Sequence, residues 1–308
     1  NKANAIAIDS SGNIVWGDGG LRLSSHNSDQ YIESFTSSLS HGVIISFKDN
    51  RSGSNDIYMQ QIDWGGNLMM SDDGMLVADA QDDQESSSLD LSDSTNKLMV
   101  CWEDFRLGTE YDIYCKYYDF DEGVLSDEIA LATQANTPLD SNQTSPFVLS
   151  TQTGTFLIVW EDNRNGTGVY TDIYFQEMSH CDFFLEDGGD LLCDADFDQL
   201  NPQIDIYNES SNSYVVYWDD LRSSGKEFLN NIFAQSYTSS SNASCNDLLL
   251  GDINFDGLVN VLDVVTLVGS IVSGPQLEDN AFTAADMNGD GLVNVLDVVT
   301  VVNQIVSN

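Results

Sequence analysis

The sequence predicts a mainly β fold: a β-propeller of about four four-stranded blades, followed by a small α-helical domain of paired loop-helix motifs. Two observations support this prediction. A strand-rich pattern recurs four times through residues 1–240, and near the end of the chain the ten residues from Gly257 to Thr266 recur letter for letter at Gly291 to Thr300. Internal repeats of this kind are the sequence sign of modular architectures.

The blade prediction comes from four aligned segments, FKDNRSGSNDIYMQ, WEDFRLGTEYDIYCK, WEDNRNGTGVYTDIYFQ and WDDLRSSGKEFLNNIFAQ. Each follows an apolar strand, passes through a turn rich in Asp, Asn, Gly and Ser, and enters a second strand with alternating polarity. Each unit contains about four short strands and no convincing helix. Repeated four-stranded units are typical of propeller blades.

The number of blades depends on how the ring closes. The last unit ends after three strands, so we expect the N-terminus, around Ile14 to Leu23, to supply its fourth strand. The segment Ala3 to Ile8 would then be an extra edge strand, the remnant of an incomplete fifth blade, or a strand donated to a neighbour. An unpaired edge strand is a template for association.

Four of the five arginines occupy one repeat position, and each follows an aspartate by two residues. Arg presents a planar fork of donors that binds carboxylate and carbonyl oxygens together. We therefore predict a structural role in the blade turns for the pairs Asp49 and Arg51, Asp104 and Arg106, Asp162 and Arg164, and Asp220 and Arg222. The alternative is an arginine cluster that binds an anionic sugar. A catalytic site breaks repeat symmetry, whereas this pair is repeated in all four units, which favours the structural role. The repeats resemble the W-x-D-x-R…D-I-Y-x-Q units of propeller-like secreted bacterial proteins.

The five cysteines suggest an oxidising compartment. Cys101 and Cys115 lie in neighbouring predicted strands, and Cys181 and Cys193 flank a short acidic turn. Both spacings suit local disulfides in an exported protein, and buried free thiols are the alternative. Cys245 has no obvious partner and is either a free thiol or an intermolecular bridge.

The C-terminal repeat predicts two calcium sites. Ca²⁺ prefers six to eight oxygen ligands, supplied from positions 1, 3, 5, 7, 9 and 12 of a loop that turns sharply at position 6. Gly257 and Gly291 occupy that turn position. The predicted ligands are Asp252, Asn254, Asp256, the Leu258 carbonyl, Asn260 and Asp263 in the first loop, and Asp286, Asn288, Asp290, the Leu292 carbonyl, Asn294 and Asp297 in the second.

The twelfth ligand of each loop is Asp rather than the Glu of ordinary EF-hands, and no clear helix enters the first loop. In these features residues 248–308 resemble a type I dockerin. The resemblance implies two bound calcium ions and calcium-dependent binding of a cohesin module.

The two predicted helices, VLDVVTLVGSIV and VLDVVTVVNQIV, are apolar on nearly all sides. Packing the helices together hides one side of each, so the remaining apolar surface needs a partner or the chain's own propeller. The predicted partner-binding residues are Val261, Leu262, Val265, Val295, Leu296 and Val299. Cellulosomal dockerins often carry Ser-Thr just before the last ligand, where this chain has Val-Leu, so the partner is a cohesin-like module or another copy of the chain.

Composition limits the other partners. Fifty acidic against ten basic residues give a formal charge of -40, which disfavours nucleic acid, because phosphate binding needs clustered Lys and Arg. No stretch reaches 18 consecutive apolar residues, so we expect no membrane insertion. The chain begins at Asn1 without a signal peptide, which indicates a mature or trimmed product. The predicted domains are 1–238 for the propeller, 239–247 for a Ser/Asn-rich linker and 248–308 for the dockerin-like domain.

The functional prediction is a non-catalytic structural or interaction protein, extracellular or on the cell surface. Its propeller would be a rigid platform, and its tail would dock into a larger assembly or support self-assembly into filaments. No G-x-S-x-G, H-E-x-x-H or P-loop motif occurs, and we therefore expect no enzyme. The alternative is a dockerin-borne propeller that hydrolyses or binds carbohydrate, because paired carboxylates for glycoside hydrolysis are easily hidden among so many acids.

Overall fold

The computed structural model divides into two compact units, Asn1–Ala243 and Ser244–Asn308. In the first unit it describes residues 1–17, 19–133, 141–164, 170–179, 183–185, 188–222 and 231–239. In the second it describes residues 251, 253, 259, 261–273, 282, 284–288 and 291–307. The predicted linker therefore lies outside the described residues, apart from Ser239.

The first unit is built from antiparallel sheets, five of them in the described residues. The N-terminal sheet pairs β1 (Asn4–Ala5) with β2 (Leu21–Arg22). Sheet 1 has the order β3 (Gln30–Ser38), β4 (Gly42–Asp49), β5 (Asp56–Ile62), β6 (Met75–Ala78). Sheet 2 contains β7 (Gln84–Ser92), β8 (Lys97–Asp104) and β9 (Asp112–Asp119), with β10 (Val124–Leu125) and β11 (Ile129–Ala132) both paired to β9.

Sheet 3 has the order β12 (Gln143–Ser150), β13 (Phe156–Asp162), β14 (Asp172–Met178), β15 (Asp190–Cys193). Sheet 4 has three strands, β16 (Gln199–Asn208), β17 (Ser213–Asp220) and β18 (Asn231–Thr238). A short 3₁₀ turn, Glu209–Ser211, joins β16 to β17. Each sheet of the repeat is thus a meander of consecutive strands, as the four-stranded units predicted.

The sheets stack face to face in chain order, and an apolar cluster fills each interface. Phe47 lies between the N-terminal sheet and sheet 1, and Trp102 between sheets 1 and 2. Trp160 lies between sheets 2 and 3, and Trp218 between sheets 3 and 4. Strands such as LMVCW are apolar at every position because both of their faces are buried. Antiparallel sheets with one solvated face instead alternate apolar and polar residues.

The structure corrects the predicted ring closure. The segment around Leu21 does not extend sheet 4, because β2 pairs with β1. The supposedly surplus segment from Ala3 to Ile8 is therefore one strand of the N-terminal sheet, and a bridge between Ile8 and Ile14 continues that pairing. In the part of the chain that the structure describes, β18 pairs only with β17. An incomplete fifth blade, rather than four blades closed by the N-terminus, is the arrangement observed.

One of the two predicted disulfides is present in the structure. Cys101 and Cys115 lie directly opposite each other on β8 and β9 and form a disulfide. Cys193 is a free thiol whose Sγ accepts a hydrogen bond from Arg222 Nη2 at 3.1 Å. The expected Cys181–Cys193 bridge was therefore wrong. Cys181 and Cys245 lie outside the described residues.

The second unit contains two helices, α1 (Val261–Ser273) and α2 (Val295–Ser307). Their inner sides meet in a small cluster that includes Leu267, Ala285 and Val301, all fully buried. No described helix is long and apolar enough to cross a membrane.

Candidate functional site

The repeated Asp-Arg pairs lie at the turn that leaves the second strand of each sheet. In every repeat the backbone N–H of the arginine donates to the aspartate two residues earlier, at 2.8–3.0 Å. The guanidinium of each arginine also forms an ion pair with that carboxylate. The four aspartates, Asp49, Asp104, Asp162 and Asp220, are fully buried.

An aromatic ring completes each of these turns. The guanidinium carbon lies 3.8–4.2 Å from the ring centroid of Tyr58, Tyr114, Tyr174 or Phe233 on the neighbouring strand. In three repeats the indole N–H of Trp102, Trp160 or Trp218 donates to the same aspartate. A buried carboxylate is stable only when it is paired and hydrogen-bonded, and this arrangement accounts for the repeated residues without any ligand.

A second repeat position differs from sheet to sheet and carries an acid in three of the four. The residue just before the repeated aspartate is Lys48, Glu103, Glu161 or Asp219 in sheets 1 to 4. Glu103 on β8 lies directly opposite Glu85 on β7. We call Glu85 and Glu103 the carboxylate pair. Sequence reasoning missed it, although this variable position beside an invariant one was the available signal.

Sheet 1 and a turn of sheet 2 hold Glu85 in its ionised form. Lys48 Nζ donates to Glu85 Oε2 at 2.7 Å, and Tyr111 OH donates to Glu85 Oε1 at 2.9 Å. Burial tends to raise the pKa of Glu85, but these two hydrogen bonds outweigh it, so its pKa lies below the usual value. The carboxyl group of Glu85 is partly open to solvent.

Glu103 has the opposite environment. Its residue is 8% exposed, and burial raises the pKa of its carboxyl group to about 7, against a smaller opposing effect of a hydrogen bond from the Ser145 N–H. The negative charge of Glu85 raises the Glu103 pKa further. Two neighbouring carboxyl groups whose pKa values are pushed apart are the usual signature of an acid and base pair.

Glu161 provides a structural comparison. It accepts a hydrogen bond from the Asn201 N–H at 2.8 Å, just as Glu103 accepts one from the Ser145 N–H at 2.7 Å. Both donors are bulge residues with positive φ, 54° and 55°. Each Glu thus anchors the bulge of the next sheet. Glu161, however, faces Thr144 in the register position that Glu85 takes opposite Glu103. An ionisable partner in that position therefore distinguishes Glu103 from Glu161.

Aromatic side chains lie on the turns at the same end of the sheets. The rings of Phe105 and Tyr111 are 4.8 Å apart, and those of Tyr170 and Phe197 are 5.4 Å apart. Phe197 has a φ of 69°, which is uncommon for a bulky residue and is found where function or packing imposes strain. Tyr170 and Phe197 are exposed, whereas Phe105 and Tyr111 are half-buried, and Tyr111 binds the Glu85 carboxylate.

The described calcium-loop residues cluster at the starts of the two helices. Asp263 and Asp297 are fully buried. Asp263 Oδ1 accepts the Ile253 N–H at 2.9 Å, and Asp297 Oδ2 accepts the Asn294 N–H at 2.8 Å. Asp286 Oδ2 accepts the Gly291 N–H at 2.8 Å. The predicted ligands Asp252, Asn254, Asp256, Leu258, Asn260 and Asp290 lie outside the described residues.

One atom tests whether these residues fit a cation. Asp297 Oδ1 is buried without a hydrogen-bond partner. A buried ionised oxygen without a partner is costly, and a calcium ion would remove that cost. The described residues alone bring together no group of three or more metal-binding side chains of His, Cys, Asp or Glu.

The predicted partner-binding residues are exposed where they are described. Val261 and Val265 on α1, and Val295, Leu296 and Val299 on α2 or at its start, all lie largely in solvent. We call these five residues the docking surface. The side chain of Leu262 lies outside the described part of the chain.

Comparison with protein families identifies the second unit. Residues 250–306 match the type I dockerin domain, which confirms the resemblance found in the sequence. Dockerin domains of this type bind Ca²⁺ and dock onto a cohesin partner, and they occur in extracellular or cell-surface enzyme complexes. No curated protein matches this chain.

Solved structures resemble the first unit in fold. An endo-arabinase from Bacteroides thetaiotaomicron VPI-5482 is 12% identical with a TM-score of 0.42, and the match covers 74% of this chain and 79% of that one. The Hadza microbial sialidase Hz136 is 11% identical with a TM-score of 0.44, covering 69% of this chain and 47% of that one. An α-L-arabinanase from Penicillium chrysogenum is 13% identical with a TM-score of 0.39, covering 72% and 65%.

These comparisons correct the expectation that the chain is not an enzyme. The similar structures include arabinanases, an arabinofuranosidase, a sialidase and a levansucrase. At such low identity and structural similarity they describe a mainly β propeller-type fold, and they specify neither substrate nor mechanism.

Proposed function

We propose that this chain is an extracellular glycoside hydrolase whose propeller carries the reaction and whose dockerin domain attaches it to a larger assembly. The observation that carries the proposal is the carboxylate pair. Glu85 and Glu103 are cross-strand neighbours whose pKa values are shifted in opposite directions.

The two carboxyl groups suit the two roles in glycoside hydrolysis. One must be protonated, to donate a proton to the leaving oxygen, and the other must be ionised, to act as nucleophile or to activate water. Glu103, with a pKa of about 7, keeps its proton below that pH and is partly protonated at neutral pH. Glu85 stays ionised because Lys48 and Tyr111 donate hydrogen bonds to it.

Cross-strand pairing places Glu85 and Glu103 side by side, with the Glu85 carboxylate bound by Lys48 of sheet 1 and the Glu103 carboxyl group bound by the Ser145 N–H of sheet 3. We assign the ionised Glu85 as nucleophile or base and the protonated Glu103 as general acid. The anomeric configuration of the first product distinguishes a retaining from an inverting reaction.

A panel of polysaccharides tests this proposal. Wild-type protein should release reducing sugar from at least one of them. Glu103→Gln and Glu85→Gln should each lower that rate by at least 100-fold, because each removes one of the two required groups. The matched control is Glu161→Gln, which alters the same bulge contact in the next sheet and should retain most of the activity. Equal losses in all three variants would indicate a structural role for Glu103.

For the second unit we infer two calcium ions, held by the twelve predicted ligands of the two loops. We further infer that the docking surface contacts the cohesin-type partner. The exposed valines and the orphan oxygen of Asp297 support these inferences. Val265→Asp combined with Val299→Asp should weaken cohesin binding without changing calcium binding, whereas Val124→Asp, a surface change on β10, should change neither. Unchanged cohesin affinity in the double variant would contradict the assignment of the surface.

A further inference from the structure

An isoleucine occurs at the same repeat position in all four sheets, but its environment in sheet 4 differs from that in the other three. Ile57, Ile113 and Ile173 follow the first residue of their strands and are 0% exposed, because the next sheet covers them. Ile232 follows the first residue of β18 and is 76% exposed. Ile232 is therefore apolar at a position that the next sheet covers in the other three repeats.

The neighbouring residues on that side of sheet 4 follow the same rule. Tyr217 precedes the repeated tryptophan, as Cys101 and Val159 do in sheets 2 and 3. Those two residues are fully buried, and Tyr217 is exposed. Tyr217 and Ile232 lie on one side of the sheet, because Tyr217 pairs with Ala234 and Ile232 with Asp219. We call this side of sheet 4 the open face.

Within the repeat, the corresponding face of each sheet packs against the next sheet. The N-terminal sheet exposes the surface that is equivalent to the one covered in this way. Ile8 corresponds to Ile62, since each forms the bridge that closes the following Asp-Asn turn. Ile62 is 0% exposed and packs against the preceding sheet, whereas Ile8 is 62% exposed. The opposite side of the N-terminal sheet, including Ala3, is already buried against sheet 1.

The charges on the two surfaces are opposite. Arg22 is the single arginine outside the repeat position. It pairs with Asn4 across the N-terminal sheet, which places it on the same side as Ile6 and Ile8. On the open face, Asp205 pairs with Val215 and Asp219 with Ile232. In a protein with a formal charge of -40, an arginine on one surface and two acids on the other are complementary.

We propose that the open face of one copy packs against the N-terminal sheet of a second copy. This contact would reproduce the sheet-to-sheet packing that is repeated within the chain. In a single copy both surfaces are exposed. The contact is heterologous, joining different surfaces of two copies, so it propagates head to tail unless rotation closes a ring. It uses the propeller, and it is independent of calcium and of the docking surface.

Analytical ultracentrifugation of the full-length protein at several concentrations tests the proposal. The buffer should contain enough salt to screen the net charge, and the runs are repeated with calcium and with EDTA at equal ionic strength. We expect concentration-dependent association in both conditions. Ile232→Asp and Ile8→Asp should each lower the association constant by at least 10-fold, because each places a charge in the apolar contact.

Val124→Asp is the control, since Val124 is an exposed apolar residue on β10, away from both surfaces. It should leave association unchanged. Mixing Ile232→Asp with Ile8→Asp should restore a dimer but no larger species, because one intact surface remains on each variant. A wild-type monomer at all concentrations would overturn the proposal. Loss of association in EDTA, or equal effects of the three variants, would also overturn it.

Discussion

The proposed catalytic role of Glu103 and its effect on stability have one cause. Its carboxyl group is buried between sheets 2 and 3, and burial raises its pKa to about 7. The same burial that would keep a proton on an acid near neutral pH also makes the ionised form costly in the folded protein. A group placed for catalysis should therefore reduce stability.

The pH dependence of that cost has a definite sign. Between the ordinary value of 4.5 and about 7, Glu103 is protonated in the folded chain and ionised in the unfolded chain. Stability therefore falls as pH rises through this window, by about 3 kcal/mol in total. Glu103→Gln should be more stable than wild type at pH 8 by up to that amount and nearly equal to it at pH 4. Denaturant unfolding at both values measures this.

Glu85 gives the contrasting control. Its pKa is lowered, so its contribution is present above the ordinary value and is lost as pH falls. Glu85→Gln should therefore destabilise the protein at neutral pH and lose that effect in acid. If the change in stability followed the same pH trend in both variants, the assignment of opposite pKa shifts to Glu85 and Glu103 would be wrong.

Arg106 illustrates the buried ion pairs of the repeat. It neutralises Asp104, which is 1% exposed, and it stacks on Tyr114. Arg106→Ala should cost about 3–5 kcal/mol, because it leaves a buried carboxylate without a partner. Thermal unfolding of this variant beside Arg22→Ala, an exposed arginine outside the repeat, measures the difference. A loss no larger than that of Arg22→Ala would contradict the structural role.

At the scale of elements, the calcium loops and their helices depend on each other. The helices are rich in valine, which has modest helix propensity, and only a small cluster joins them. Metal binding should therefore be linked to folding of this unit.

Asp297→Asn tests that link, because it weakens the ligand whose Oδ1 lacks a protein partner. We expect calcium affinity to fall by at least 10-fold and the helical signal to decrease at limiting calcium. Calorimetry and far-UV circular dichroism measure the two effects. Asp127→Asn, in the propeller, should change neither. Wild-type affinity in Asp297→Asn would remove this residue from the ligand set.

Elements were predictable where a pattern repeats. The apolar strands that precede the Asp-Arg turns, and the duplicated loop and helix, follow from local sequence. The closure of the propeller did not follow, because strand pairing between distant segments depends on packing that no local pattern specifies. The segment near Leu21 has the strand character we expected, but its partner is β1 rather than sheet 4.

At the scale of the whole molecule, the candidate site lies where the repeat departs from itself. Because the chain has fifty acidic residues, composition alone cannot single out a candidate pair. Only the fold brings Glu85 opposite Glu103 and places Lys48 of the preceding sheet beside them. The variable residue before each repeated aspartate was visible in the sequence, but its register with Glu85 was not.

The two units divide the work of the molecule. The propeller holds the carboxylate pair and the open face, and the dockerin domain holds the calcium loops and the docking surface. Each therefore has tests that leave the other unchanged. Removal of calcium should abolish cohesin docking while hydrolysis by the propeller continues.

The decisive measurement for the roles of Glu85 and Glu103 is the pH–rate profile of hydrolysis, on whichever polysaccharide the wild-type protein cleaves. We expect kcat/KM to fall as pH rises above about 7, because Glu103 then loses the proton that it must donate. Glu103→Gln should lose this alkaline limb, and Glu161→Gln should keep it. Absence of hydrolysis across the panel, or an unchanged alkaline limb in Glu103→Gln, would contradict the account.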